Sequence, residues 1–316
     1  MLQNQNGMVR ELTTQGRWVA TKLGLRRTST HVRPSAHAQT IIDAPVQPTP
    51  VRTRPLEVSD LTVRYGSVTA VDNLSFSVEP GQVVGLIGPN GAGKTTVIDA
   101  VTGVVGGSDW TLTLDGERIE RWSAARRARA GISRSFQSLE LFEDSTVLDN
   151  LLTATDPSST SSYLRDPILP VPETVGSEVI AAVREFGFED SIDTLAQELP
   201  YAQRRLLAIA RAVSSGPSVL LLDEPAAGLG DAETAEAAVL VRRLADEWGM
   251  GILVVEHDMN FVMTVCDHIV VLDFGRKIAE GTPSEVQRDP AVLAAYLSDS
   301  EDSSTTPVPD QGKVSS

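Results

Sequence analysis

The chain has 316 residues, of which 41% are apolar and 22% charged, the length and composition of one large globular domain or two small ones. Its formal net charge of -15 is carried by an acidic body between a basic leader and a short acidic tail, and an acidic body repels a phosphate backbone, which argues against nucleic acid as a partner. A single cysteine, Cys266, excludes an internal disulfide framework, and no stretch approaches the ~18 consecutive apolar residues that a membrane helix needs.

Residues 1–55 form a basic leader, in which Arg and Lys outnumber Asp and Glu eight to two. Pro34, Pro45, Pro48, Pro50 and Pro55 interrupt it, a composition that predicts disorder. Met8, Leu12, Val19 and Leu23 fall on one helical face flanked by basic residues, the pattern of a membrane-surface helix. The stripe is thin and Gly16 breaks it, which favours a solvated leader. The polar start before Arg10 lacks a signal peptide's apolar core.

The folded body is expected from Leu56. Alternation from Leu56 to Val63 predicts a strand, Val71 to Val78 a second, and Gln82 to Gly88 a buried third that runs into a glycine-rich loop. A helix follows over Thr95–Thr102, then a strand over Thr111–Leu114 with Asp115-Gly116 as its turn. Residues 155–175, rich in Ser, Pro and Thr, read as a loop. Helical patterning covers Glu178–Phe186 and Gln203–Val213. Val219–Leu222 and Ile252–Val255 are short continuous apolar runs, which suit central parallel strands buried on both faces. Strands at Ile269–Asp273 and Lys277–Ala279, and short helices near Pro283 and Pro290, close the body. Residues 298–316 read as an acidic, disordered tail.

Two segments carry the chemistry. Gly88-Pro89-Asn90-Gly91-Ala92-Gly93-Lys94-Thr95 matches G-x-x-x-x-G-K-[ST], the P-loop. Its glycines let the backbone curl until successive N–H groups face one anion, and the helix behind adds its positive end. Lys94 is expected on the β- and γ-phosphates of ATP, and the Thr95 hydroxyl on Mg²⁺, with Thr96 beside it. The second segment is Leu220-Leu221-Leu222-Asp223-Glu224-Pro225. Its apolar run is a strand whose C-terminal end presents Asp223 to hold the metal and Glu224 to polarise the attacking water.

With these two motifs, several further segments in matching chain order resemble ABC ATPases. Tyr65-Gly66 resembles the aromatic that stacks on adenine, and Ile132 to Gln137 resembles the Q-loop. Leu199-Pro200-Tyr201-Ala202-Gln203 and the residues to Ala212 resemble the signature motif and its helix. Val254-Val255-Glu256-His257-Asp258 resembles the switch-histidine segment. The resemblance implies an α/β P-loop NTPase over residues 56–297, with a RecA-like core, an antiparallel β subdomain and a helical signature subdomain at about 138–215. It implies that Gln137 senses metal and water, and that His257 contacts the γ-phosphate. It also implies that Pro200, Tyr201, Ala202 and Gln203 serve a nucleotide bound by a second subunit.

The signature departs from Leu-Ser-Gly-Gly-Gln. Pro200 lacks the serine hydroxyl, Ala202 adds a methyl group expected near the partner's phosphate, and Gly230 stands where an aspartate is usual. These departures predict that the site completed by this signature is the weaker of the pair. Leu199-Pro200-Tyr201, Asp223 to Leu229, Glu256 to Met259 and Gly275 to Pro283 resemble the ATPases of branched-chain amino acid importers, in particular the member with a tyrosine-containing signature. That resemblance implies a second ABC ATPase as partner (a heterodimer, with a homodimer as the alternative), two permease subunits, and indirectly an extracellular solute-binding protein. It places the chain at the cytoplasmic face of the membrane. Cargo is chosen by other subunits, so urea, amide or lipid transport, or a non-transport ABC ATPase, are the alternatives.

Overall fold

The computed structural model describes residues 53–106, 109–135, 139–155 and 175–302. Most of the basic leader, Gln137, most of the predicted loop at 155–175, and the tail from 303 lie outside the described residues.

Strands β1 (Leu56–Tyr65) and β2 (Val68–Val78) form an antiparallel hairpin. With β4 (Thr111–Leu114) and β5 (Glu117–Arg118) they make a four-stranded sheet in the order β2-β1-β4-β5. The second sheet has six strands: β3 (Val83–Ile87), β6 (Ile132–Ser135), β7 (Val219–Asp223), β8 (Gly251–Val255), β9 (His268–Asp273) and β10 (Arg276–Gly281). Their order is β10-β9-β3-β8-β7-β6, parallel throughout except for the β9–β10 hairpin.

The central strands are buried at every position, as their continuous apolar runs predict. Alternate residues serve two different cores. Val84, Leu86, Leu221, Leu253 and Val255 pack towards the antiparallel sheet and α1 (Lys94–Thr102). Ile87, Leu220, Leu222, Ile252 and Val254 pack towards the helices on the other face. Those helices are α3 (Val147–Leu152), α4 (Ser177–Glu185), α5 (Tyr201–Val213), α6 (Asp231–Asp246) and α7 (Met259–Val265). Each fully buried Leu or Ile here contributes about 1.5–3 kcal/mol by area, so a one-residue register slip in β7 would exchange both cores at once.

Two boundaries and one helix differ from the sequence reading. Thr53–Pro55, assigned to the leader, belong to the body, because the Pro55 carbonyl accepts from Asp115 N at 2.9 Å. Helix α9 (Pro290–Asp302) continues past Leu297 through residues assigned to the disordered tail. Val292 and Ala295 are buried against the core, and once a helix is anchored, each further residue adds a hydrogen bond without a new nucleation cost. Helix α6 escaped the periodicity search because its alanines dilute the apolar stripe. It starts where Glu233 accepts a hydrogen bond from Gly230 N at 3.0 Å, with Asp231 and Glu233 in the first turn favouring the dipole. The remaining helices are α2 (Ala124–Arg129) and α8 (Pro283–Val286).

Candidate active site

The buried strand β3 ends at Ile87 and the chain turns sharply at Gly88, where φ is +149°. A Cβ there would lie 2.0 Å from the Leu272 carbonyl oxygen of β9, so only glycine fits. Gly93 has φ +102°, and a Cβ on it would lie 2.5 Å from the Ala70 carbonyl oxygen of β2. The loop is therefore wedged between the two sheets. Asn90 and Gly91 stand at its exposed apex, Pro89 is half-buried and Ala92 is buried. Lys94 opens α1, and its Nζ donates to Gly88 O at 2.7 Å and Pro89 O at 2.9 Å, which sets the ammonium inside the curl. Thr95 is exposed at the helix start and Thr96 half-buried. The far end of α1 is fixed by Arg127, 1% exposed, whose guanidinium donates to the carbonyls of Ala100, Val101 and Glu120.

Strand order brings the other motifs to the same edge. β8 lies between β3 and β7, with Val255 opposite both Leu86 and Asp223. Asp223 and Glu224 therefore leave the sheet at the level where Gly88 begins the loop, and Glu256 and His257 leave it between them. Asp223 is 4% exposed, and its Oδ2 accepts from Arg134 Nη2 at 2.8 Å. The same guanidinium donates from Nη1 to Asp99 Oδ1 of α1 at 2.6 Å. Arg134 thus ties the helix behind the P-loop to the metal-binding candidate.

Glu224 has φ +50°, an unusual conformation for a residue with a side chain. Its carboxylate Oε1 lies 3.7 Å from His257 Nδ1, and His257 is exposed. Beneath them Glu256, 1% exposed, accepts from Ala226 N at 2.8 Å, His257 N at 2.9 Å and Asp258 N at 3.3 Å. Asp258 then caps α7, accepting from Asn260 N at 2.9 Å and Phe261 N at 3.2 Å. The sequence reading quoted Arg134 and Glu256 only as part of motifs. A charge inside or directly after an apolar strand was the one available sign that each makes an internal contact.

Helix α5 starts after Pro200, its N-cap, without a side-chain cap, so the N–H groups of its first turn keep their directions open. Pro200 is exposed, and Tyr201 is half exposed with its hydroxyl donating to Ala227 O at 3.2 Å. Ala202 and Gln203, expected to serve a second subunit's nucleotide, are buried within this chain. Tyr65 is exposed at the tip of the β1–β2 hairpin, whose Ala70 touches the P-loop at Gly93. Gln137 lies outside the described residues.

The donor set suits a hard cation. The Thr95 hydroxyl and the Asp223 carboxylate are oxygen ligands, and Arg134 engages only one of the two Asp223 oxygens. Among the described residues no group of three or more His, Cys, Asp and Glu is placed to hold a metal alone, and no helix is long and apolar enough to cross a membrane.

Residues 71–227 match the family model described as ABC transporter, and residues 276–297 match one described as branched-chain amino acid ATP-binding cassette transporter. The high-affinity branched-chain amino acid transport ATP-binding protein BraF of Pseudomonas aeruginosa is 40% identical over 247 residues, covering 77% of this chain and 97% of that protein. The corresponding protein LivG of Escherichia coli is 36% identical over the same shares of the two chains. The crystal structure of the ADP conformation of MJ1267, an ATP-binding cassette of an ABC transporter, superposes with a TM-score of 0.67 at 28% identity, covering 78% of this chain and 99% of that one. The glycine-wedged loop, the acids at the end of β7 and these likenesses agree: the chain belongs to the ABC transporter family, as one of its nucleotide-binding, ATP-hydrolysing subunits.

Proposed function

We propose that this chain is the ATP-hydrolysing subunit of an importer for branched-chain or related hydrophobic amino acids. The observation that carries the catalytic reading is the arrival of the P-loop, Asp223-Glu224 and His257 at adjacent ends of β3, β7 and β8. The cargo reading rests on the identity to BraF and LivG and on the match of residues 276–297.

In this reading Tyr65 stacks on the adenine, and the N–H groups from Pro89 to Thr96, where present, surround the phosphates. Lys94 redirects its ammonium from the loop carbonyls to the β- and γ-phosphate oxygens. Glu224 accepts a hydrogen bond from water and takes its proton as the water oxygen bonds to the γ-phosphorus. The bond from phosphorus to the ADP oxygen breaks, and ADP and phosphate leave. His257 donates to the γ-phosphate and, 3.7 Å from Glu224, keeps base and phosphate aligned. Thr95, Asp223 and Gln137 would hold magnesium, which when bound neutralises charge on the β- and γ-oxygens. The open first turn of α5, with Pro200 and Tyr201, completes the site of a second ATPase subunit, and that subunit completes this one. Loss of the γ-phosphate lets the pair separate, and two permeases beneath which the chain docks at the cytoplasmic face convert the motion into import.

The test uses the whole transporter, with its permeases and second ATPase, in sealed vesicles. Glu224→Gln is expected to lower this chain's hydrolysis about 100- to 1,000-fold while ATP still binds. Labelled leucine uptake should fall with it, and urea should not be taken up. Undiminished hydrolysis in Glu224→Gln would overturn the catalytic assignment, and a transporter that moves urea or lipid but not leucine would overturn the cargo.

A further inference from the structure

The left-handed backbone at Glu224 needs a cause. A residue with a side chain held at φ +50° is strained and persists only where its surroundings over-determine it. Hydrogen bonds from several elements converge on this turn. The Glu224 amide donates to Val255 O at 2.8 Å, and its carbonyl accepts from Ala227 N at 3.1 Å. Ala226 N donates to the Glu256 carboxylate at 2.8 Å. A further pair of contacts comes from α5. Arg205 of α5, 3% exposed, donates from Nη2 to Glu224 O and from Nε to Pro225 O at 3.3 Å.

Arg205 therefore grips two successive carbonyls, and these fix the peptide plane that follows Glu224. Only a guanidinium has two N–H directions at this fixed angle. The point charge of a lysine can satisfy one carbonyl but cannot set the plane between them. Val255 and Ala227 fix the turn along the strand, and Glu256 fixes it from the β8 side. From the α5 side Arg205 holds the Glu224 and Pro225 carbonyls, and Tyr201 reaches the turn one peptide further on, at Ala227 O.

We infer that Arg205 is a positioning residue for Glu224: its fork on the Glu224 and Pro225 carbonyls maintains the left-handed turn that aims the carboxylate, and so governs the rate of hydrolysis. This inference rests on the proposed role of Glu224 as the group that activates water.

The test places Arg205→Lys and Arg205→Met in the complete transporter, each with Glu224 present and with Glu224→Gln. The readouts are kcat, KM for ATP and Tm. The rate that belongs to this site is the part that Glu224→Gln removes. With Glu224 present, kcat is expected to fall about 10- to 100-fold, more for Met than for Lys, with KM changed less than about threefold. In the Glu224→Gln background the same substitutions should change the residual rate less than about twofold, because a residue that acts through Glu224 has nothing left to act on. Arg205→Lys keeps charge and most of the length, so it carries the test if Arg205→Met does not fold. An unchanged kcat in Arg205→Lys, a rise in KM that matches the fall in kcat, or equal losses in both backgrounds would overturn the inference. Undiminished hydrolysis in Glu224→Gln alone would instead remove the role of Glu224 on which it stands.

Discussion

The P-loop and the start of α5 both offer backbone N–H groups at a helix N-terminus, yet they are held by opposite means. The P-loop is shaped by close approach of main chain to main chain, with Gly88 against Leu272 and Gly93 against Ala70. The start of α5 is held by side chains that reach across the fold, Tyr201 to Ala227 and Arg205 to Glu224 and Pro225. Main-chain contact leaves almost no choice of residue. Side-chain contact restricts the residue that reaches across and leaves the residues around it free to change. That difference accounts for a P-loop that fits its motif at each fixed position beside a signature that departs from Leu-Ser-Gly-Gly-Gln at three of five.

The comparison predicts a ranking. The largest effect is expected from Arg134→Met, which breaks an ion pair whose side chains are 11% and 5% exposed and leaves Asp223 and Asp99 without their shared cation. Such a loss costs about 3–5 kcal/mol. Thermal denaturation should show Tm lower by roughly 6–15 °C; a shift of only a degree or two would mean that water replaces Arg134 at little cost.

Gly88→Ala comes next. The new methyl group would need the Leu272 carbonyl to move, and the loop should lose its curl. Calorimetry is expected to find ATP bound about 100-fold more weakly, a change of ~3 kcal/mol. Unaltered affinity would show that β9 yields and that main-chain contact does not shape this loop. The smallest effect is expected at Tyr201. Tyr201→Phe removes one half-exposed hydrogen bond, worth about 0.5–1.5 kcal/mol, and should leave this chain's ATP affinity unchanged. A loss of affinity comparable to that of Gly88→Ala would erase the distinction between the two regions.

The same contrast explains what could be read from the amino acids alone. β3, β7 and β8 are visible as apolar runs because central parallel strands must be buried on both faces. Lys94, Asp223 and His257 are visible because phosphate and metal chemistry restricts residue type at fixed spacing. Arg134, Arg205 and Glu256 are not, since their partners lie on other elements and no local spacing records the contact. Helix α3 was missed for a related reason. It has only six residues, and its stability comes from the Thr146–Asp149 capping box and from Leu148 and Leu151 in the core.

Cys266, at the end of α7, has a practical consequence. Its sulfur is packed so tightly beneath β3 that a methyl group on Gly85 would sit 2.8 Å from it, and burial pushes the thiol up to about 12. At neutral pH almost none of it is the thiolate that alkylating reagents attack. A chain with a single, chemically silent sulfhydryl is ready for spectroscopic labelling: cysteines introduced at Asn90 and Tyr201 would carry probes against a dark background, and the separation between loop apex and helix start could be followed through a turnover cycle.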